Sequence, residues 1–330
     1  MDSSLPKERL FLLDNIKGIL IFLVVFGHSL ELYKNEHLIF HILYMFIYLF
    51  HIPAFVFISG YVSKNVDKCR TTAFKSFFIP YILFNIIWSI ITVIFTQDLS
   101  RFSFITPGWA LWYLLSMFFW RIFLKDLIKV RFIIPISFLI GLGAGIFGEF
   151  NSMLSLSRTL VFSPFFLLGY FTTEEHLLGF KKPTRFYSFV ILSIAITFAA
   201  VVSYFEIIPV EFIYGSNSFD SHTVPIWLGL VSRILLYIIG LFFIFALPNT
   251  VTNRPTFFSK IGRNTLSIYI LHTYLLALVF VVNYFIPSMW LQLIICFIGS
   301  ILVTSFLSRD CVKKQFDLFL EKVTSLFIRA

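Results

Sequence analysis

Ten runs of predominantly apolar residues follow one another along this chain, most of them about twenty residues long and each bounded by polar residues, proline or glycine. A segment of that length has enough apolar surface to cross a bilayer and too little polarity to cover a soluble domain. The runs fall near residues 16–33, 39–62, 76–96, 109–124, 132–148, 157–171, 186–206, 225–247, 264–283 and 288–307. Those at 109–124 and 157–171 are short for a crossing, and Pro164 inside the second allows a broken or re-entrant piece. Only 13% of the 330 residues are charged, against about a quarter in soluble proteins, so a soluble fold is excluded. The expected architecture is all-α and integral to the membrane, with about ten transmembrane helices in one bundle over residues 1–307 and a tail at 308–330.

Where the positive charge falls decides what the net charge of +9 means. Of the 26 lysines and arginines, 20 lie in the N-terminal tail, in alternate loops and in the C-terminal tail. That asymmetry predicts both termini in the cytoplasm and requires no nucleic-acid partner. The first run contains Lys17, His28 and Glu31 and lacks a small-residue cleavage site, so it reads as a helix and not a signal peptide. Cys69, Cys296 and Cys311 are too scattered for a metal site or a disulfide framework, and no metal is expected. A formal G-x-G-x-x-G match at 143–148 sits in an apolar run with no preceding strand, which suggests helix packing and not a nucleotide site.

Ionisable groups within a spanning helix are costly and mark function. Lys17 and His28 are separated by 11 residues, a rotation within about 20° of three full turns, so they share a face. Asp14 and Glu31 fall within about 60° of that face, and the stripe runs over roughly 25 Å. Asp14 as a cap, Lys17 snorkelling to headgroups and Glu31 at the outer interface are readings that stay open. They leave His28 unexplained, because a deep imidazole contributes no stability that leucine would not surpass. A neutral ring there suits a general base or nucleophile, with Glu31 one turn on to orient its second nitrogen.

The string Arg9-Leu-Phe-Leu-Leu-Asp14-Asn-Ile-Lys17-Gly18, followed by Val24-Val-Phe-Gly-His28, resembles the opening of the membrane-bound acyltransferase-3 family. Many members carry arginine where this chain has Lys17. The block Phe50-His51-Ile-Pro53-Ala-Phe-Val-Phe57-Ile-Ser59-Gly60-Tyr61 is similar to the family's Phe-rich Ser-Gly signature, with Val56 where a second Phe is common. Trp109-Ala-Leu-Trp112-Tyr113 and Ile261-Gly-Arg263-Asn264-Thr-Leu-Ser-Ile-Tyr269-Ile-Leu-His272 look like further landmarks, in the right order.

The resemblance implies transfer of an acetyl group from acetyl-CoA, as co-substrate and not as a bound cofactor, to a hydroxyl of a cell-envelope glycan. It also implies a multi-pass protein of the bacterial cell membrane, nearest the polysaccharide O-acetyltransferases of the capsular and fucose O-acetylase-like branch. With 23 residues after the last run, the membrane domain is expected to handle donor and acceptor itself. His28 and Glu31 then become catalytic candidates. Lys17, Asp14, Ser59, Gly60 and Arg263 become candidates for the donor, and Trp109, Trp112, Tyr113 and His51 for the acceptor. Other readings stand beside these. Ser59-Gly60 would also suit close helix packing, the three aromatics an interfacial belt, and His51 a bond to backbone freed by Pro53. His272 is either a satisfied membrane histidine or a ligand, and Arg233 needs a carboxylate or a wet cavity, Glu31 being the candidate carboxylate. A secondary transporter or polysaccharide flippase is the rival class, for which inverted repeats would speak; none is evident.

Overall fold

The computed structural model describes residues 10–146, 153–180, 185–216, 218–219 and 225–327. Among them there is no strand, and every one of the ten apolar runs falls on helix. The chain folds as an all-helical integral membrane bundle: α1 (Phe11–Leu30), α2 (Leu38–Tyr48), α3 (His51–Tyr61), α4 (Val66–Ala73) and α5 (Ile79–Thr96) open it. They are followed by α6 (Trp112–Leu127), α7 (Ile133–Gly143), α8 (Leu156–Phe171), the short α9 (Glu174–Gly179) and α10 (Arg185–Tyr204). The last third holds α11 (Ile226–Thr250), the short α12 (Phe257–Arg263), α13 (Thr265–Tyr284), α14 (Met289–Leu307) and α15 (Asp310–Phe327). Eight helical segments are long and apolar enough to cross a membrane, counting α2–α3 and α4–α5 as one each. The other two of the expected ten are shorter, α6 with 16 residues and α7 with 11.

Proline explains where the helices deviate. Pro53 has no N–H to donate to Leu49, and its ring would strike that carbonyl in a continuous helix, so the second run breaks at Leu49–Phe50 and restarts at His51. Ahead of Pro80 the helix widens into a single π turn at Phe74–Phe78. Pro164, by contrast, sits within an unbroken α8, so that run is not broken there.

Glycines set the two tightest crossings. A Cβ on Gly60 would collide with the Phe166 carbonyl, and one on Gly169 with the Phe57 carbonyl, so α3 and α8 touch backbone to backbone. Gly18 and Gly262 do the same for α1 and α12, against Phe258 and Asp14. The glycine-rich run at 143–148 behaves differently from the expected helix packing. Helix α7 ends at Gly143, Gly145 lies in a turn against the Phe219 ring, and residues 147–148 lie outside the described residues.

One end of the bundle is tied by polar bonds. Asn15 donates to the carbonyls of Thr252 and Arg254, each at 2.9 Å, and accepts from Thr256 and Ser259, each at 2.5 Å. Asn264 donates to the Ser308 carbonyl at 2.8 Å, and Lys260 meets Asp310 at 3.6 Å, so the start of α1 and the finish of α14 share this end. The tail beyond it is itself an amphipathic helix, α15, which seats Phe316 and Phe319 on Phe84.

Candidate active site

The interior of the bundle joins two histidines that are 244 residues apart in sequence. His28 near the end of α1 and His272 in α13 are both buried, and His28 Nδ1 lies 2.8 Å from His272 Nε2. A second contact fixes the protons. His272 Nδ1 is 3.0 Å from the Ile268 carbonyl, which can only accept, so a neutral His272 carries its proton on Nδ1 and offers a lone pair at Nε2. His28 must then donate from Nδ1, which leaves its Nε2 lone pair unprotonated. Nε2 makes no hydrogen bond to a described residue, and the ring borders an internal cavity of about 60 Å³.

That cavity is lined by Glu31, Tyr48, His51, Trp112, Arg158 and Tyr214, among others. The Trp109 indole stacks on His28, with ring centroids 4.8 Å apart, and donates from Nε1 to Glu31 at 2.7 Å. Trp109 reaches this position from a 3₁₀ turn in which its own φ is +34°, a strained value for a bulky residue and of the kind that collects at functional sites. Glu31 therefore holds the indole and not the imidazole, so its expected role of orienting His28 belongs instead to His272. Nor does Glu31 pair with Arg233, which is fully buried in α11, gives Nη1 to the Gly141 carbonyl at 3.1 Å and lies over the Phe219 ring. His51 borders the cavity while its Nδ1 bonds the Ile47 carbonyl at 2.7 Å. Over the cavity Lys34 binds the Tyr214 hydroxyl at 2.7 Å, and burial pushes that phenol well above its ordinary pKa, so it stays a neutral donor to Tyr44.

A second cavity, of about 190 Å³, lies toward the end tied by Asn15; it is lined by Lys17, Ser59, Tyr113, Arg121, Thr265 and Tyr269, among others. Lys17 pairs with buried Asp14 at 2.9 Å, one turn back on α1, so Asp14 is an ion-pair partner within the helix and not its cap. Between the cavities stand Tyr113 and Tyr269, with ring centroids 5.3 Å apart. Tyr113 shares a 2.6 Å hydrogen bond with Ser59, and Tyr269 donates to the Ala110 carbonyl and approaches the His272 ring at 5.9 Å. The Lys17–His28 stripe thus runs from one cavity to the other.

Several sequence expectations change here. Tyr113 does not share a cavity with Trp109 and Trp112: the 3₁₀ turn at Trp109–Leu111 brings Trp109 into phase with Trp112, and Tyr113, about 100° further round α6, faces the Lys17 side. Gly60 faces α8 and is closed to any ligand by the Phe166 carbonyl. Arg263 lies outside the cavity lining, half-exposed and 3.8 Å from Asp14. Two roomier hollows, of about 660 and 560 Å³, are lined almost entirely by apolar side chains of α5, α13, α14 and α15, and hold no acid–base group suited to the chemistry.

Against this geometry, the Acyltransferase domain family model matches residues 11–309, nearly the whole helical bundle. The chain belongs to that acyltransferase family. That membership speaks for acyl transfer and against the carrier reading. It is also 30% identical over 138 residues to the nodulation protein NolL of Sinorhizobium fredii (strain NBRC 101917 / NGR234), a match covering 35% of this chain and 37% of that protein. No solved structure matches. Within this site, sequence reasoning overlooked Arg121 and Arg158 as cavity residues and left His272 undecided. Arg158 was counted with the loop charges although it falls one residue past the start of the sixth run at 157–171; it sits in the first turn of α8.

Proposed function

We propose that the chain moves an acetyl group from acetyl-CoA to a hydroxyl of a cell-surface polysaccharide, or its lipid-linked precursor, in the bacterial cell membrane. Both termini are on the cytoplasmic side. The observation that carries this reading is His28: its Nε2 lone pair is fixed by His272 at the wall of a cavity that an aromatic pair separates from a second, basic one. Lys17 and Arg121 in that second cavity suit the anionic donor, whose phosphates approach from the cytoplasm while the thioester points toward Tyr113. Ser59, hydrogen-bonded to Tyr113, lies along the same path. Trp109 and Trp112 offer apolar faces to the acceptor, with His51 beside them.

Chemically, His28 Nε2 takes the proton of the glycan hydroxyl as its oxygen attacks the thioester carbonyl, and returns it to the departing thiolate. Alternatively, Nε2 attacks first and carries the acetyl as an acyl-histidine. Incubating the protein in lipid nanodiscs with labelled acetyl-CoA alone separates the routes, since only the second leaves label on the protein. Glycan NMR on the host strain and its deletion strain tests the whole reading. Loss of an O-acetyl signal is expected on deletion, and an unchanged acetylation pattern in every envelope glycan would refute it.

A further inference from the structure

Arg158 is the charged residue of the His28 cavity that the reaction above leaves unused. It enters from the first turn of α8 with its guanidinium 5.1 Å from the Trp112 ring. Its Nε is enclosed without a partner, and the side chain makes no hydrogen bond or ion pair to a described residue. A cation–π contact offsets only part of the cost of holding a cation at membrane depth. Glu31 borders the same cavity but makes no ion pair with Arg158, its carboxylate accepting from Trp109. A guanidinium without a hydrogen-bonded partner of its own is free to meet a negative charge that forms only during the reaction.

Position indicates which negative charge. Arg158 and His28 line one cavity, so the guanidinium and the imidazole face the same space. A nucleophile that adds to an acetyl carbonyl held at His28 therefore develops its oxyanion within the space that Arg158 borders. We propose that Arg158 is a catalytic residue that hydrogen-bonds the oxyanion formed at the acetyl carbonyl when a nucleophile adds to it.

The inference rests on the acyl transfer proposed above but holds for either route. As the glycan oxygen or His28 Nε2 forms its bond to the carbonyl carbon, the C=O π pair moves onto oxygen and is met by the guanidinium. When that pair returns, the C–S bond breaks and its electrons leave on sulfur. In direct transfer the thiolate then takes the hydroxyl proton from His28. In the relay the departing thiolate takes a proton from solvent; a second oxyanion at the same place then forms as the glycan attacks the acyl-histidine, and its collapse returns the C–N pair to His28 Nε2, which takes the hydroxyl proton and releases it to solvent.

The test uses the full chain in nanodiscs, acetyl-CoA, and alkali-deacetylated envelope polysaccharide of the host as acceptor. Arg158→Gln should lower kcat by about 10²–10³-fold, with the KM for acetyl-CoA and for acceptor moved no more than about threefold. Arg158→Lys should fall between Arg158→Gln and the parent. Binding gives a second readout. Trifluoroacetonyl-CoA, whose hydrated ketone carries tetrahedral oxygens, should lose at least about tenfold in affinity on Arg158→Gln, while a non-reactive thioether of CoA binds as before. If Arg158→Gln does not accumulate in the membrane, the ratio of those two affinities in Arg158→Lys decides. An unchanged ratio, a kcat within about threefold of the parent, or a loss confined to acceptor KM overturns the assignment while leaving the transferase reading intact. A parent protein that transfers nothing from acetyl-CoA overturns both.

Discussion

Replacing His272 by alanine tests the tautomer argument directly. In the parent, the 2.8 Å contact to His272 Nε2 satisfies the His28 Nδ1 proton, which is what leaves Nε2 available. Without it, the productive tautomer must bury an unpaired N–H, at a cost of about 1–3 kcal/mol. At about 1.4 kcal/mol per factor of ten, that lowers the population of the productive form by roughly 5- to 150-fold. The expected result is a fall of that size in kcat, with the KM for acetyl-CoA unchanged, because Lys17 and Arg121 lie in the other cavity. His272→Gln can offer a carbonyl oxygen in place of the imidazole nitrogen and should recover to within about tenfold of the parent. Initial rates in nanodiscs with labelled acetyl-CoA read both variants. Parent-like turnover by His272→Ala, or no advantage of glutamine over alanine, would refute the reasoning.

His28→Ala should abolish transfer while the protein still accumulates in the membrane, and normal acetylation by that variant would end the assignment; Glu31→Gln, which can still accept from the Trp109 indole, should do less harm. Lys17→Arg should keep much of the activity, whereas Lys17→Leu should raise the KM for acetyl-CoA or stop turnover. Exchanging the lysine with Ile16, which is buried at 1% exposure, turns the charge by about 100° away from the cavity and should be as harmful; a fully active exchange would reduce Lys17 to an anchor. Gly169→Ala drives a methyl into the Phe57 carbonyl and should cost about 1–3 kcal/mol through overpacking, seen as a lower midpoint of thermal unfolding in detergent. An unchanged midpoint would mean that α3 and α8 are not held by that contact.

The all-helical bundle and the Lys17–His28 face were legible because both depend on local periodicity, though among the described residues eight segments and not ten are long and apolar enough to span. Every apolar run fell on helix, and the stripe needed only 3.6 residues per turn. What escaped depends on distant or adjacent detail. The His28–His272 pair joins residues 244 apart, and spacing in one sequence gives no sign of such a contact. Arg233 was matched to Glu31 by charge alone, yet a backbone carbonyl and an aromatic face satisfy part of it, and an indole engages Glu31. A three-residue 3₁₀ turn brings Trp109 into phase with Trp112, while Tyr113, about 100° further round α6, faces the other cavity. Gly60 had two readings, and backbone packing against Phe166 was the physical one.

The Tyr113–Tyr269 partition has a consequence for the energetics of the proposed reaction. With the donor on one side and the acceptor hydroxyl on the other, each direct turnover sends an acetyl outward as a replacement for a proton that travels inward to the thiolate. Formally, one acylium equivalent is exchanged for one proton, so the cycle moves no net charge across the bilayer. A charge that did cross fully would feel about 2.3 kcal/mol per 100 mV. Direct transfer should therefore run at the same rate in polarised and depolarised vesicles. The thioester supplies the driving force, and the exchange itself opens no ion leak.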